Sequence, residues 1–194
     1  PLDLKFNGED VELIIGDNNT IREFVLFNPG TEGGGSITRV GNGNLIMGYV
    51  HLGHDVIVGD NCILVNNVNL AVHVELGNNV VIVGLTPVHQ FVKIGDFAMI
   101  GGASAVTQDI PPYCLGEGNR ATLRGLNLTG LRRHIERNDI NALKSAYREL
   151  FELGRPLQDA AKEIHETAEN SYVKNLCKFI INTKRGIPFE RKNI

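Results

Sequence analysis

Between Val40 and Val106 every sixth residue is a branched aliphatic: Val40, Ile46, Leu52, Val58, Leu64, Leu70, Leu76, Ile82, Val88, Ile94, Ile100 and Val106. The position four further on is mostly small or β-branched from Val50 onward, through Val56, Cys62, Val68, Val74, Val80, Thr86, Val92, Ala98, Ser104 and Ile110. The two positions lie two residues apart across each repeat boundary, so in extended chain both side chains face the same way. Glycine follows the aliphatic at Gly41, Gly53, Gly59, Gly77, Gly95 and Gly101, where a tight corner wants a residue without a Cβ. A period of six does not return to one face of an α-helix, and the glycines would weaken one. The pattern therefore predicts a parallel β-helix, with one short strand and a corner per hexad and three hexads per triangular coil.

Before this run, Ile15, Ile21 and Phe27 form a shorter series in a different frame, read as one more coil. The register breaks between Asn28 and Arg39, where Pro29, Gly30, Gly33, Gly34, Gly35 and Ser36 spell a loop. Such an excursion is a common place for function, and a tolerated insertion is the alternative. The hexads stop at Pro111 and Pro112, which cannot supply ladder donors. Residues 113–127, with Gly116, Gly118 and Gly125, read as a linker. From 128 the period turns helical. Asn138 or Asp139 can cap a helix bearing Ile140, Leu143, Ala146, Tyr147, Leu150 and Phe151; further helical patterns start at Leu157 and after Asn170 and Ser171. The expected organisation is mainly β: a β-helix over 1–112 with a loop insertion at 28–39, a linker, and a small C-terminal α-helical domain over 128–194. That domain caps the open end of the coil, and its basic tail from Lys184 to Ile194 frays.

Composition narrows the classes. A chain of 194 residues with 42% apolar and 21% charged residues is ordinary for one sizeable soluble core. A net charge of −3 gives no reason to expect nucleic acid. The chain opens on Pro1, and neither a membrane-length apolar run nor a signal-peptide pattern is present, so a cytoplasmic protein without an integral membrane segment is expected. Cys62, Cys114 and Cys177 are odd in number and lack metal-ligand spacing. Cys62 falls on an inward position, so a reduced, buried thiol is expected.

Because three hexads close a coil, the hexads beginning Leu52, Leu70, Val88 and Val106 stack on one face. That column carries His54, His73 and His89, with His51 at the corner just before it, so four of the six histidines gather on one edge. Imidazoles titrate near neutral pH and serve as general bases. Asp55 follows His54 and can hold its ring in one tautomer; Gln90 offers an amide beside His89. Each residue taken singly is also compatible with a hydrogen-bonded surface side chain. Between Asn119 and His134 stand Arg120, Arg124, Arg132 and Arg133 without an acid, a set suited to phosphate or to a solvated helix end. A strand, a glycine-rich phosphate loop and a helix do not follow one another, so nucleotide hydrolysis is not expected.

The hexads resemble the hexapeptide acyltransferase superfamily, whose coil is left-handed. Leu52-Gly53-His54-Asp55, Leu64-Val65-Asn66-Asn67, Leu70-Ala71-Val72-His73, Thr86-Pro87-Val88-His89-Gln90-Phe91, Gln108-Asp109-Ile110-Pro111-Pro112 and Glu117-Gly118-Asn119-Arg120-Ala121 closely resemble the UDP-N-acetylglucosamine O-acyltransferase family of lipid A synthesis, over Asp3 to Ile187. Members normally begin with further coils, so the resemblance makes this chain one that lacks them. It implies a homotrimer with sites between subunits. Each site would move an (R)-3-hydroxyacyl group from the phosphopantetheine thioester of acyl carrier protein to the glucosamine 3-hydroxyl of UDP-N-acetylglucosamine, the first step of that synthesis. It implies no other cofactor and no metal.

Carried over by motif, His54 is the general base and Asp55 its orienting partner. Asp3, Lys5, His51, His73, His89, Gln90, Asn127 and Arg133 bind substrate, and Gly101 and Gly102 line an acyl groove long enough for a long chain. The oxyanion donor is the backbone N–H of Val72, where the family usually has glycine. Val83, where a Gly-Gly pair is common, and Thr129, in place of an acid, are further departures. Three alternatives stand beside this: the related N-acyltransferase, a trimeric zinc carbonic anhydrase, and an inactive trimeric scaffold.

Overall fold

A computed structural model describes residues 2–190; Pro1 and residues 191–194 of the tail lie outside the described residues. The first coil runs through β1 (Glu12–Ile15), β2 (Thr20–Ile21) and β3 (Leu26–Phe27), the second through β4 (Ile37–Val40), β5 (Leu45–Ile46) and β6 (His51–Leu52). Then follow β7 (Ile57–Val58), β8 (Ile63–Leu64), β9 (Asn69–Leu70), β10 (Glu75–Leu76), β11 (Val81–Ile82), β12 (Pro87–Val88), β13 (Lys93–Ile94) and β14 (Met99–Ile100). Each strand pairs in parallel with the strand three later. The first sheet is β1-β4-β7-β10-β13, the second contains β2-β5-β8-β11-β14, and the third is β3-β6-β9-β12.

The hexad supplies the reason. Leu52, Leu70, Leu64, Ile82 and Ile100 are wholly buried on one inward position, and Val50, Val56, Val68, Val74 and Val80 on the other. Every coil thus stacks aliphatic on aliphatic along the axis. Backbone bonds such as Ile57 N–H to the Val74 carbonyl at 2.9 Å tie successive coils. At each corner the fourth residue of the hexad turns into the left-handed region: Asp55, His73 and Phe91 between the third and first sheets, Asn61 and Asn79 between the first and second. Asn, Asp and His tolerate that conformation better than most residues. Coils also approach so closely that a Cβ on Gly59 would stand 2.5 Å from the Gly77 carbonyl oxygen. Beside it, side-chain oxygens climb the corner: Asp60 accepts from Asn42 N–H at 2.6 Å, Asn78 from Asp60 N–H at 2.8 Å and Asp96 from Asn78 N–H at 2.7 Å.

Residues 113–127 are not a linker. They form β15 (Cys114–Glu117), which continues the second sheet in parallel beside β14, and β16 (Thr122–Leu126), which turns back antiparallel on it. Glycines in this stretch mark a bulge and turns of a hairpin, not a break in structure. The loop excursion is shorter than 28–39, because Ile37–Val40 already pairs with β1. Residues 28–36 remain outside the ladder, with one 3-10 turn at Glu32–Gly34.

The helical part comprises α1 (Leu128–Leu131), α2 (Arg137–Phe151), α3 (Leu157–Thr167) and α4 (Ser171–Asn182). The cap of α2 is Glu136, ahead of both expected residues, whereas Asn170 caps α4 by accepting from Tyr172 and Val173 N–H. Helix α4 does not simply close the end of the coil. It lies along the flank of the first sheet, where Asn175 donates to the Tyr113 hydroxyl at 2.8 Å and Phe179 shares a pocket with Ile57, Lys93 and Asp96. The tail through Glu190 does not fray in its described part. Arg185 Nε donates to Thr107 O, Gly186 O accepts from Asp109 N–H at 3.0 Å and Pro188 O from Leu123 N–H at 2.7 Å.

All three cysteines are buried and free. Burial pushes the Cys62 and Cys177 thiols up to about 11 and that of Cys114 higher still. Thiolate is the reactive form. An aromatic disulfide reagent at pH 8 is therefore expected to leave the native protein unlabelled and to titrate all three thiols only after denaturation.

Candidate active site

The corner from the third sheet to the first is where the chemistry collects. His51 and Leu52 form β6, the chain turns through Gly53, His54 and Asp55, and it leaves on β7. In a strand, neighbours point to opposite faces. Asp55 instead sits at φ 60°, and this left-handed step swings its carboxylate alongside the ring of the residue before it. His54 Nδ1 and Asp55 Oδ2 are 2.7 Å apart, both residues buried. One coil on, His73 occupies the position of Asp55. Its ring meets the His54 ring edge-on with centroids 5.2 Å apart, and its Nδ1 is 3.8 Å from Asp55 Oδ2. Phe91, another coil on, stacks flat against His73 at 4.6 Å.

The excursion of residues 28–36 occupies this same corner one coil earlier and closes over Asp55. Thr31 donates twice to the carboxylate, through its hydroxyl to Oδ2 at 2.6 Å and its N–H to Oδ1 at 2.8 Å. The Asp55 N–H donates to Thr38 Oγ1 at 2.8 Å. Gly34 presses so near that a Cβ there would be 2.1 Å from Asp55 Cγ. Burial, the largest single influence, pushes the Asp55 carboxyl up. The Thr31 hydroxyl and N–H, His54 and the charge available on His73 together outweigh it and hold the group below the usual carboxylate range. With Nδ1 engaged by the carboxylate, Nε2 of His54 is the nitrogen left for a substrate.

His51 lies within a strand, not at a corner. The amide of Asn28 donates to Leu52 O at 2.9 Å, which fixes its orientation and sets Nδ2 3.1 Å from His51 Nε2. With the amide donating to it, that ring nitrogen accepts, which favours the neutral ring, and burial lowers the His51 pKa in the same direction. Folded protein thus resists a proton that the unfolded chain binds as pH falls through about 6.5, and the stability present above that pH declines below it. Thermal unfolding of His51→Gln is expected to show a flatter decline below about pH 6.5. The depressed Asp55 works further down: its contribution is present above the ordinary carboxylate pKa and is lost as pH falls through the folded value, below about pH 4.

The other expected residues divide. His89 is exposed, with Nδ1 3.1 Å from Gln90 O, and among the described residues makes no hydrogen bond or ring contact with the His54–His73 pair; Gln90 is exposed beside it. The Val72 N–H, half-buried on the corner beside Gly53, donates no hydrogen bond among the described residues, a freedom shared by the equivalent N–H groups of His54 and Gln90. Asp3 accepts from Lys5 N–H at 2.9 Å before the first strand. Asn127 belongs to another corner, between the first and second sheets. Its amide donates to Phe97 O at 3.0 Å and accepts from Gly130 N–H at 3.1 Å as the cap of α1. Arg133 is exposed beyond it, lining a cationic cavity of about 640 Å³ with Arg132, Arg137 and Lys144. Gly101 and Gly102 lie at the remaining corner, packed against Glu117 and Val83. Within one chain, therefore, the His54–Asp55–His73 group, the Asn127–Arg133 pair and the Gly101–Gly102 pair occupy three different corners, with Asp3 and Lys5 ahead of the first strand.

Thr31, Gly34, Thr38, Asn28 and Phe91 were not among the residues expected from sequence. Asn28, Thr31, Gly34 and Thr38 fall within the expected excursion 28–39, which marked a loop and no role, and Phe91 ends one of the motifs that carry the resemblance. His54, Asp55 and His73 offer ligand atoms within 4.8 Å of one another, the only such group among the described residues. Both oxygens of Asp55 are already taken by Thr31 and His54, and His51 Nε2 and His89 Nδ1 have partners of their own.

Residues 109–188 match the family described as Udp N-acetylglucosamine O-acyltransferase, Domain 2, and residues 37–71 match the bacterial transferase hexapeptide (six repeats). The acyl-[acyl-carrier-protein]–UDP-N-acetylglucosamine O-acyltransferase of Sulfurovum sp. strain NBC37-1 is 77% identical over 193 residues, covering 100% of this chain and 74% of its own length. The chain belongs to the UDP-N-acetylglucosamine O-acyltransferase family. The Helicobacter pylori strain P12 member is 49% identical over 98% of this chain and 71% of its own. Among solved structures, the UDP-N-acetylglucosamine acyltransferase from Campylobacter jejuni superposes with a TM-score of 0.93 at 49% identity, covering 98% of this chain and 74% of that one. The expected fold of the family, a left-handed parallel β-helix of hexapeptide repeats followed by a helical region, is the fold of this chain.

Proposed function

We propose that this chain transfers an (R)-3-hydroxyacyl group from acyl carrier protein to the glucosamine 3-hydroxyl of UDP-N-acetylglucosamine, the first step of lipid A synthesis, in the cytoplasm. The observation that carries the mechanism is the His54–Asp55 contact of 2.7 Å, buried and clamped by Thr31. Asp55 fixes the tautomer with hydrogen on Nδ1, leaving Nε2 to take the proton of the sugar hydroxyl. The alkoxide oxygen attacks the thioester carbonyl, a C–O bond forms, and the Val72 N–H meets the developing oxyanion. Collapse breaks the C–S bond, and His54 returns its proton to the departing phosphopantetheine thiolate. The base is regenerated and no acyl-enzyme is required.

A homotrimer fits this reading. Leu45, Ile63, Val81 and Met99 form an outward apolar ladder on the second sheet, and Phe24, Tyr49 and Leu85 stand 72%, 54% and 65% exposed along its edge. Covering such a surface with a second copy would bring the His54 corner of one subunit towards the Gly101–Gly102 corner or the Asn127–Arg133 corner of another. It would also let Asp3, Lys5, His51, His73, His89 and Gln90 meet one substrate. The test is thioester consumption on mixing the chain with hydroxyacyl carrier protein and UDP-N-acetylglucosamine, alongside its solution mass. Turnover by a trimer supports the proposal. Turnover only with an acylated 3-hydroxyl acceptor would point to the N-acyltransferase, and a trimer without turnover would leave a scaffold. Across an acyl-length series, long chains are expected to be preferred because glycine stands at 101 and 102; preference for short chains would count against that groove.

A further inference from the structure

We propose that Thr31 is a positioning residue for the base: it anchors the Asp55 carboxylate from the loop 28–36, so that one oxygen stays aimed at His54 Nδ1. This deepens the reading above and rests on His54 acting as the base. The loop is built for the contact. Gly30 packs where a Cβ would lie 2.1 Å from Ile37 N, Ser36 N–H closes the loop on Thr31 O at 2.7 Å, and Gly34 leaves room for the carboxylate itself. Thr31 is 3% exposed, and its two donors meet both carboxylate oxygens at once. Such a two-point grip sets the plane of the carboxylate, which a single bond to an imidazole cannot do. A tolerated insertion would have no reason to end in two bonds to the partner of the base.

The groups facing this pair are few. His73 approaches Asp55 from the next coil at 3.8 Å, and Thr31 and Thr38 are uncharged. Glu32 is exposed on the loop itself, and His51 is tied to Asn28. A pocket of about 590 Å³ beyond His73 brings Glu75, Lys93, Asp109, Lys184 and Arg185, of which Lys93 is paired to Glu75 at 2.8 Å. None of these charges replaces the Thr31 donors on the carboxylate. Removing the hydroxyl leaves Asp55 Oδ2 with His54 as its main donor, which favours the imidazolium and moves the onset of activity to higher pH.

The experiment compares the chain with Thr31→Val, which keeps the shape and the N–H, and Thr31→Ser, which keeps the hydroxyl. For Thr31→Val, kcat is expected to fall about 10- to 100-fold with KM within about twofold, and the acid limb of kcat/KM to move upward. Thr31→Ser should restore both. Nitrogen-15 NMR of His54 reads the same device without turnover: at a pH on the acid limb the doubly protonated ring should gain population in Thr31→Val and not in Thr31→Ser. If no form turns over while the NMR signature follows the hydroxyl, the positioning role stands and the proposed reaction falls. An unchanged acid limb together with an unchanged His54 signature in Thr31→Val overturns the role, even if stability drops. Should Thr31→Val not fold, Thr31→Cys, similar in size with only a weak donor, carries the same comparison.

Discussion

His54→Ala is expected to lower kcat by about 10² to 10⁴-fold while leaving KM for UDP-N-acetylglucosamine within about twofold. The imidazole is buried among Asp55, His73 and the loop, with Nδ1 committed to the carboxylate, so its loss removes the proton acceptor and little of the binding surface. Steady-state thioester consumption measures it, and equal rates for the two proteins would sink the base. Asp55→Asn gives the second half of the argument. An amide can face His54 with its NH₂ and select the wrong tautomer, so its loss of rate should exceed that of Thr31→Val. The ordering His54→Ala, Asp55→Asn, Thr31→Val follows the chain of contacts from reacting atom to loop.

Leu70→Ala is expected to destabilise the fold by about 2 to 5 kcal/mol. Leu70 is wholly buried, and β9 is paired between β6 and β12, so Leu52 and Val88 stand directly before and after it in the stack. A coil held on both sides cannot collapse into the cavity, which favours the upper part of that range. Urea unfolding reads the change. Ile57→Ala, on the outward position of an earlier repeat and 43% exposed, should change stability by less than about 1 kcal/mol. Similar midpoints for the two variants would mean that the hexad does not separate inside from outside.

Much of this architecture is legible from the residue order because its driving force is local and periodic. An inward side chain every sixth residue fixes strand, corner and coil together, and counting in threes puts Leu52, Leu70, Val88 and Val106 in one column, as β6, β9, β12 and the Val88–Val106 bridge place them. The same count carried one coil back would have set Phe27 in that column and the excursion after it on the corner of His54. Hairpin β15–β16 escaped notice because its glycines imitate a linker, and its pairing with β14 is a tertiary matter. The tail escaped too: its partners Thr107, Asp109 and Leu123 are remote in sequence.

What the order of residues determined by itself was the prism and the edge on which histidines gather, since burial of a repeating aliphatic leaves no other register. It did not determine which of those histidines act together. Column membership is shared by His54, His73 and His89, yet only the first two touch, because they occupy different steps of a left-handed corner and His89 leaves it a step too early. Nor did it assign Thr31 to Asp55, residues 24 positions apart, joined through a loop that has no repeat to read. Hydrophobic periodicity acts at every coil and is visible in one dimension; hydrogen-bond geometry between a loop and a corner exists only once the coil has closed.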